Sequence, residues 1–204
     1  MSHAEISQSF LEVLEQRHSV RSYSPEKLSI PMIERLLHLA VRAPTALHEE
    51  TWSFAIVQDM ELLKHISDLA KPRFYVEAHL AHLTRHSHAV DIFANPEFNI
   101  FYNAGTLILI CTRTTAGPFA SADCWLAAEN LMLAAQALGL GSCVIGSALS
   151  TLNEPQQKLE IGIPSDVSVV VPIIVGVPAE PGQPTTRKAP HILAWRQEAD
   201  KGGR

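Results

Sequence analysis

The stretch from Asp123 to Leu138 constrains this chain more than any other. It reads Asp123-Cys-Trp-Leu-Ala-Ala-Glu-Asn-Leu-Met-Leu-Ala-Ala-Gln-Ala-Leu138, a helix so rich in Ala and Leu that after Asp123 only Glu129, Asn130 and Gln136 interrupt its apolar surface. Such a helix must be packed on both sides. Gly139-Leu140-Gly141 ends it, as glycine just past a helix should. In a chain of 204 residues a helix that is apolar all round is hard to bury within one subunit, so the sequence predicts a homodimer with this helix in its interface.

The remaining elements follow from periodicity and punctuation. Residues 5–16 read as a short helix with Ile6, Phe10, Val13 and Leu14 on one side, and residues 31–42 as a second, opened by Ser29 with Pro31 in its first turn. Residues 53–57 read as a buried strand, after which Asp59 caps a helix through Ala70. The section from Lys71 to Asn99 is rich in His and broken by Pro72 and Pro96, with a helix expected over about 74–90. Gly105 to Cys111 suits a central strand, Ser142 to Ile145 a short one, and Glu154 to Leu159 a helix. Residues 167–175 read as a long strand in which Pro172 argues for an edge position or a bulge at that residue. From Pro178 onward the chain is proline-rich and polar until Trp195, which predicts an arm lying on a surface such as that of a partner subunit. With no repeat and no linker, residues 1–204 are read as one layered α/β or α+β domain carrying an arm over about 178–204.

Charge and cysteine content exclude several classes. Sixteen Lys and Arg against 21 Asp and Glu give a net charge of −5, which offers no cationic footprint for nucleic acid or an anionic membrane. Cys111, Cys124 and Cys143 are odd in number and widely spaced, so neither a disulfide framework nor a thiolate zinc site is indicated. No basic segment followed by an apolar one opens the chain, and the longest strongly apolar run, residues 169–177, is too short to span a bilayer. The expected location is cytoplasmic.

Three constellations can carry chemistry. Arg17-His18-Ser19-Val20-Arg21 offers two guanidiniums, a hydroxyl and an imidazole within one loop, donors suited to a phosphate and a hydroxylated ligand. Arg187-Lys188 in the arm can close the same anion site from another direction. The turn Ala43-Pro44-Thr45-Ala46-Leu47-His48 has small residues that let a backbone approach a flat ligand, and His48, Glu49 and Glu50 add polar groups. Gly139 to Gly146 lacks the lysine of a P-loop and precedes a strand, so its glycines serve to bring main-chain N–H groups close to a ligand at the strand end. Cys143 within it reads as a small packed hydrophobe. His79, His82 and His86 share a helical face without an accompanying carboxylate pattern, which makes them structural, and no metal site is expected. No G-x-S-x-G elbow supports a hydrolase.

Taken in register, these features resemble the FMN-dependent nitroreductase family along nearly the whole chain. The resemblance is carried by Arg17-His-Ser-Val-Arg-Ser-Tyr23, by Ala43-Pro-Thr-Ala-Leu-His48 with Trp52-Ser-Phe54, by the helix from Ala127 through Gly141-Ser142, and by Ile174-Val-Gly-Val-Pro178 followed by Arg187. It implies an α+β fold, a layered α-β-α arrangement around a mixed, mainly antiparallel sheet, in an extensively interfaced homodimer with two FMN sites built from both chains. By the resemblance, Arg17 and Ser19 meet the phosphate, His18 the ribityl chain or flavin edge, and Arg21 the pyrimidine ring, where a cation favours the anionic reduced flavin. Pro44, Thr45, Ala46, Leu47 and His48 come from the other subunit; Ile145 and Gly146 lie against the isoalloxazine, with Cys143 and Val144 beside them in the cofactor-binding set; Arg187 completes the phosphate site. The family's turn usually continues with Asn, a variable residue, Gln and Pro, where this chain has His48, Glu49, Glu50 and Thr51.

The expected activity is transfer of a hydride from NAD(P)H through bound FMN to a small planar acceptor such as a nitroaromatic or quinone, with ping-pong kinetics. No side chain is required as acid or base, so no catalytic residue is named. Phe74, Tyr75, Phe93, Phe98 and Tyr102 are placed as candidate walls of the open flavin face. Alternatives on the same fold are dehalogenation, dehydrogenation, flavin breakdown, or a flavin store or sensor without turnover.

Overall fold

The computed structural model describes residues 10–46, 49–80 and 91–196. Along them run α1 (Phe10–Gln16), α2 (Ile30–Ala40), β1 (Trp52–Val57), α3 (Met60–Leu80), β2 (Thr106–Arg113), α4 (Ala120–Ala137), β3 (Gly141–Val144), α5 (Leu149–Leu152), α6 (Pro155–Ile161) and β4 (Val167–Gly176). Short 3-10 turns occupy Asp91–Ala94 and Gly146–Ala148.

Strand β2 shows how the layers arise. Its side chains alternate across the sheet, so Leu107, Leu109 and Cys111 join a core with Leu63, Ile66 and Ala70 of α3. Ile108 and Ile110 join a second core with Leu36 of α2 and Ala127, Ala128 and Leu131 of α4. Both faces of the sheet are covered, hence the near-continuous apolar sequence of this strand and a layered α-β-α fold. Each fully buried Leu or Ile contributes about 1.5–3 kcal/mol through the area it removes from water.

The four strands form one sheet in the order β1-β2-β4-β3. All three pairings are antiparallel, and the parallel component expected of a mixed sheet is confined to a single bridge between Ser19 and Ser142. Strand β1, read from sequence as buried, is an edge strand paired only with β2, and Val57 is its one fully buried residue. The linker before α2 is tied to β2 by a small polar knot. The buried Thr106 hydroxyl accepts hydrogen bonds from the Leu28 N–H at 3.1 Å and from Gln58 Nε2 at 2.9 Å.

Two prolines behave differently from expectation. Pro72 does not divide its segment, since α3 runs through it to Leu80. Its side lies open, while Leu63, Ile66 and Ala70 before it and Ala78 after it are buried, so packing outweighs the roughly 3 kcal/mol a helix-interior proline costs. The part of the expected helix over 81–90, with His82, His86 and His88, lies outside the described residues. Pro172 sits in a central strand, between β2 and β3, and not at an edge. Nor does the bulge fall at that residue: Pro172 pairs in register with Leu109, and the β2–β4 ladder slips by one residue at Val170, where Ile110 pairs with Val171 and Cys111 with Val169.

Helix α4 is packed on one side only within a single chain. Ala120, Cys124, Ala127, Ala128, Leu131 and Ala135 are buried, whereas Trp125 and Leu126 remain exposed. Residues 179–196 are exposed throughout, with Ile192, Leu193 and Trp195 presenting large apolar side chains to solvent. Among the described residues no helix is long and apolar enough to cross a membrane.

Candidate functional site

The chain leaves α1 at Arg17 and turns into an extended segment along the outer edge of β3. The Val20 N–H donates to the Ser142 carbonyl at 3.1 Å, and Ser19 bridges Ser142 in parallel. Further on, the Ser24 N–H donates to Val177 O at 2.9 Å and the Ala179 N–H to Ser22 O at 3.0 Å, with Tyr23 bridging Pro178. The segment thus extends the sheet past β3. It approaches so closely that a Cβ on Gly141 would stand 2.7–2.9 Å from three side-chain carbons of Val20. Glycine is required there for that reason.

Alternation along an extended chain sends residues 17, 19 and 21 to one side. All three act on the Cys143 thiol: burial pushes its proton affinity up, while Arg21, a hydrogen bond from Ser19, and Arg17 pull it down. Arg17 also pairs with Glu129 of α4 at 3.6 Å. Beside this cluster lies a cavity of about 100 Å³ bordered by Arg21, Phe93, Phe98, Tyr102, Ile145 and Gly146. The aromatics form a ladder in which Phe74 and Phe93 centroids are 4.7 Å apart, with Phe93–Phe98 and Phe98–Tyr102 both at 5.5 Å in edge-to-face contact. Such contacts favour a fixed wall.

The other sequence candidates are distributed as follows. Cys143 is buried, Val144 half-buried and Ile145 buried, and all three border the cavity with Gly146. His18 faces a neighbouring hollow bordered by Pro178, Pro181 and Gly182, with Nδ1 2.9 Å from the Gln16 carbonyl and a buried Nε2 that has no partner. Pro44, Thr45 and Ala46 do not border the Arg21 cavity; the turn is fastened to α4, the Ala46 N–H donating to the buried Asp123 carboxylate at 3.1 Å. Leu47 and His48 lie outside the described residues. Arg187 is exposed on the arm and does not border the cavity. Tyr75 borders a separate hollow with Lys71 and Pro96. Among the described residues no group of three His, Cys, Asp or Glu is placed to hold a metal ion.

Sequence reasoning missed two things. One is the role of Asp123 as an anchor for the 44–46 turn, for which an acidic residue in an otherwise apolar helix was the available signal. The other is the backbone at Tyr102 and Asn103, both left-handed with φ of 52° and 58°. Asparagines at 99 and 103 flanking an apolar run were the hint there.

An antiparallel sheet between two helical layers, with the guanidiniums of Arg17 and Arg21 gathered where an N-terminal segment crosses its edge, defines an α+β scaffold that concentrates positive charge at one sheet edge. The chain belongs to the nitroreductase family, whose members are FMN-dependent oxidoreductases: the family model matches residues 14–177. A protein of Archaeoglobus fulgidus, named provisionally as an NADH dehydrogenase/NAD(P)H nitroreductase, is 28% identical over 83% of this chain and 86% of its own length. The FMN reductase (NADPH) of Bacillus subtilis is 26% identical over 83% of this chain and 66% of its own. The crystal structure of a nitroreductase with bound FMN from Bacteroides fragilis superposes with a TM-score of 0.75 at 25% identity, covering 94% of this chain and all of the other.

The residues present fit FMN. A ring that gains negative charge on reduction needs positive charge free of competing carboxylates, and among the described residues no carboxylate pairs with Arg21; Arg17, on the phosphate side, shares its charge with Glu129 at 3.6 Å. A flat ring needs an open surface, and a Cβ built on Gly146 meets nothing within 4 Å.

Proposed function

We propose that this chain takes a hydride from NAD(P)H on bound FMN and delivers it to a small planar acceptor, a nitroaromatic or a quinone. One observation carries the reading: the Arg21 guanidinium, with no carboxylate partner among the described residues, borders an aromatic-walled cavity on the same edge where Arg17 and Ser19 gather. The names of the Archaeoglobus and Bacillus relatives support the nicotinamide donor.

FMN, when bound, supplies acceptance and return of the hydride. The chain's residues bind and orient. Arg17 and Ser19, joined by Arg187, hold the phosphate, with His18 beside them toward the ribityl chain, and Arg21 adds positive charge to the ring. Residues 143–146 support one side of the ring. Phe93, Phe98 and Tyr102 exclude water and offer stacking surface to nicotinamide and acceptor in turn. No acid or base is assigned.

The site is shared between two copies. The open side of α4 with Trp125 and Leu126 meets its counterpart, residues 44–48 reach the partner's cofactor, and the exposed arm covers the partner's surface, a use for Ile192, Leu193 and Trp195 that a lone chain lacks. Residues 1–204 form one domain with an arm from about 178. Three free, buried cysteines support a reducing, cytoplasmic setting.

Purified protein tests the reading. Yellow colour with FMN released on denaturation, anaerobic bleaching by NADH or NADPH, and reoxidation by a nitroaromatic or quinone are the expected results. A protein that neither carries nor takes up FMN refutes it, and a flavoprotein that neither nucleotide bleaches is a store or sensor instead.

A further inference from the structure

Tyr102 is held in a way that packing alone does not require. It and Asn103 are consecutive non-glycine residues in the left-handed region, with φ of 52° and 58°. Side chains there cost free energy that glycine would avoid, and such conformations persist only where the surroundings over-determine them. They are over-determined here. The Tyr102 N–H donates to Asn99 O at 2.9 Å, the Ala104 N–H to Phe101 O at 3.0 Å, and the Phe101 N–H to Asn99 Oδ1 at 2.9 Å. The buried Ser67 hydroxyl of α3 accepts from the Ile100 N–H at 3.0 Å, and Ile100, Phe101 and Ala104 are buried around it. The turn is bolted to the core on both sides of Tyr102.

What the turn presents is a phenol at the cavity. Tyr102 borders it together with Arg21, near enough for the guanidinium's charge to offset part of the burial that raises the phenol's proton affinity. Phe98 steadies the ring from its edge at 5.5 Å. Arg21 is exposed and, among the described residues, has no carboxylate to hold it, so a long side chain on an extended segment would otherwise sample many rotamers. We propose that Tyr102 is a positioning residue: its hydroxyl fixes the Arg21 guanidinium against the cavity, so that the cation is pre-set for the reduced, more negative form of the flavin. The inference rests on the flavin reading above, which gives Arg21 that charge to meet. Pre-orientation matters more for the reduced ring than for the oxidised one, because a fixed cation stabilises a charge that a mobile one meets only part of the time.

The test is a binding cycle rather than turnover. Kd for oxidised FMN, by flavin fluorescence, and for reduced FMN, by anaerobic titration, are measured for wild type, Tyr102→Phe, Arg21→Ala and the double variant. Phe keeps the ring and its Phe98 contact, and an unchanged melting temperature checks that the fold is kept. Tyr102→Phe should weaken reduced FMN by about fivefold and oxidised FMN by less than about twofold, the scale of one hydrogen bond to a charged group in partial solvent. The double variant should match Arg21→Ala alone. Tyr102→His, which restores a polar atom on a ring, should recover part of the preference for reduced FMN. Equal weakening of both forms, no change in either, or losses that add in the double variant overturn the proposal while leaving the flavin reading intact. A wild-type protein that binds no FMN overturns both.

Discussion

Replacing Gly141 by Ala is the sharpest probe of how the site is assembled. The added Cβ would lie 2.7, 2.8 and 2.9 Å from Val20 Cγ2, Cβ and Cγ1, against an unstrained carbon separation of about 3.5–4.0 Å. The extended segment must therefore retreat from β3 by roughly 1 Å, because β3 is held from behind by its ladder to β4. Overpacking of this kind costs about 1–3 kcal/mol, and loosening the 3.1 Å bond from Val20 N–H to Ser142 O adds about 1 kcal/mol. Urea denaturation should show a loss of about 2–4 kcal/mol in all. The same retreat moves Arg17, Ser19 and Arg21 away from Cys143, so FMN affinity should fall at least about tenfold, the equivalent of 1.4 kcal/mol. Val20→Ala in the Gly141→Ala background removes two of the three clashing carbons and should recover part of both losses. A Gly141→Ala protein with wild-type midpoint and FMN Kd would refute the picture of a segment pressed against β3.

Other consequences are as accessible. Thr106→Val leaves the Leu28 N–H and the Gln58 amide without their shared acceptor, and unfolding free energy should drop by about 1–3 kcal/mol for the orphaned buried donor; an unchanged urea midpoint would count against the knot. Burial pushes the Cys111 thiol to about 12 and Cys124 to about 11. The folded state then holds protons that the unfolded chain has released, so stability should fall as pH rises from about 9 toward 11, with Cys111→Ala flattening the slope in urea titrations. A stability rising over that range would contradict the burial. Trp125→Glu places a charge on the open side of α4 and should give a monomer in sedimentation with weakened FMN binding; a dimer of unchanged stability would move the interface elsewhere.

The elements that sequence reasoning located well are those whose pattern is local. Residues 107–111 are apolar at every position because β2 is covered on both faces, and α4 is recognisable from composition alone. The Arg17–Arg21 motif is five residues long and needs no tertiary knowledge to be proposed as an anion site. The two prolines show the limit. Whether Pro72 breaks a helix depends on Ile66 and Ala70 packing into the core beneath the sheet and on the burial of Ala78 beyond it, and whether Pro172 marks an edge depends on which strands flank it. Tyr102 was named as an aromatic wall, yet its place beside Arg21 at the cavity depends on Ser67, some thirty residues earlier, fastening Ile100. Nothing local encodes that distance. Likewise His18 sits in the same motif as Arg17 but faces Gly182 of the arm, a contact between the two ends of the chain.

That meeting of ends sets an order of events during synthesis. Segment 17–24 hydrogen-bonds to β3 and to residues 177–179, and β3 in turn pairs with β4 alone among the strands. A nascent chain that has emerged only as far as α5 carries Arg17, Ser19 and Arg21 with no sheet edge to lay them on. On the proposed site, cofactor capture therefore waits until β4 and residues 177–179 have emerged, and a motif translated early is among the last to find its place.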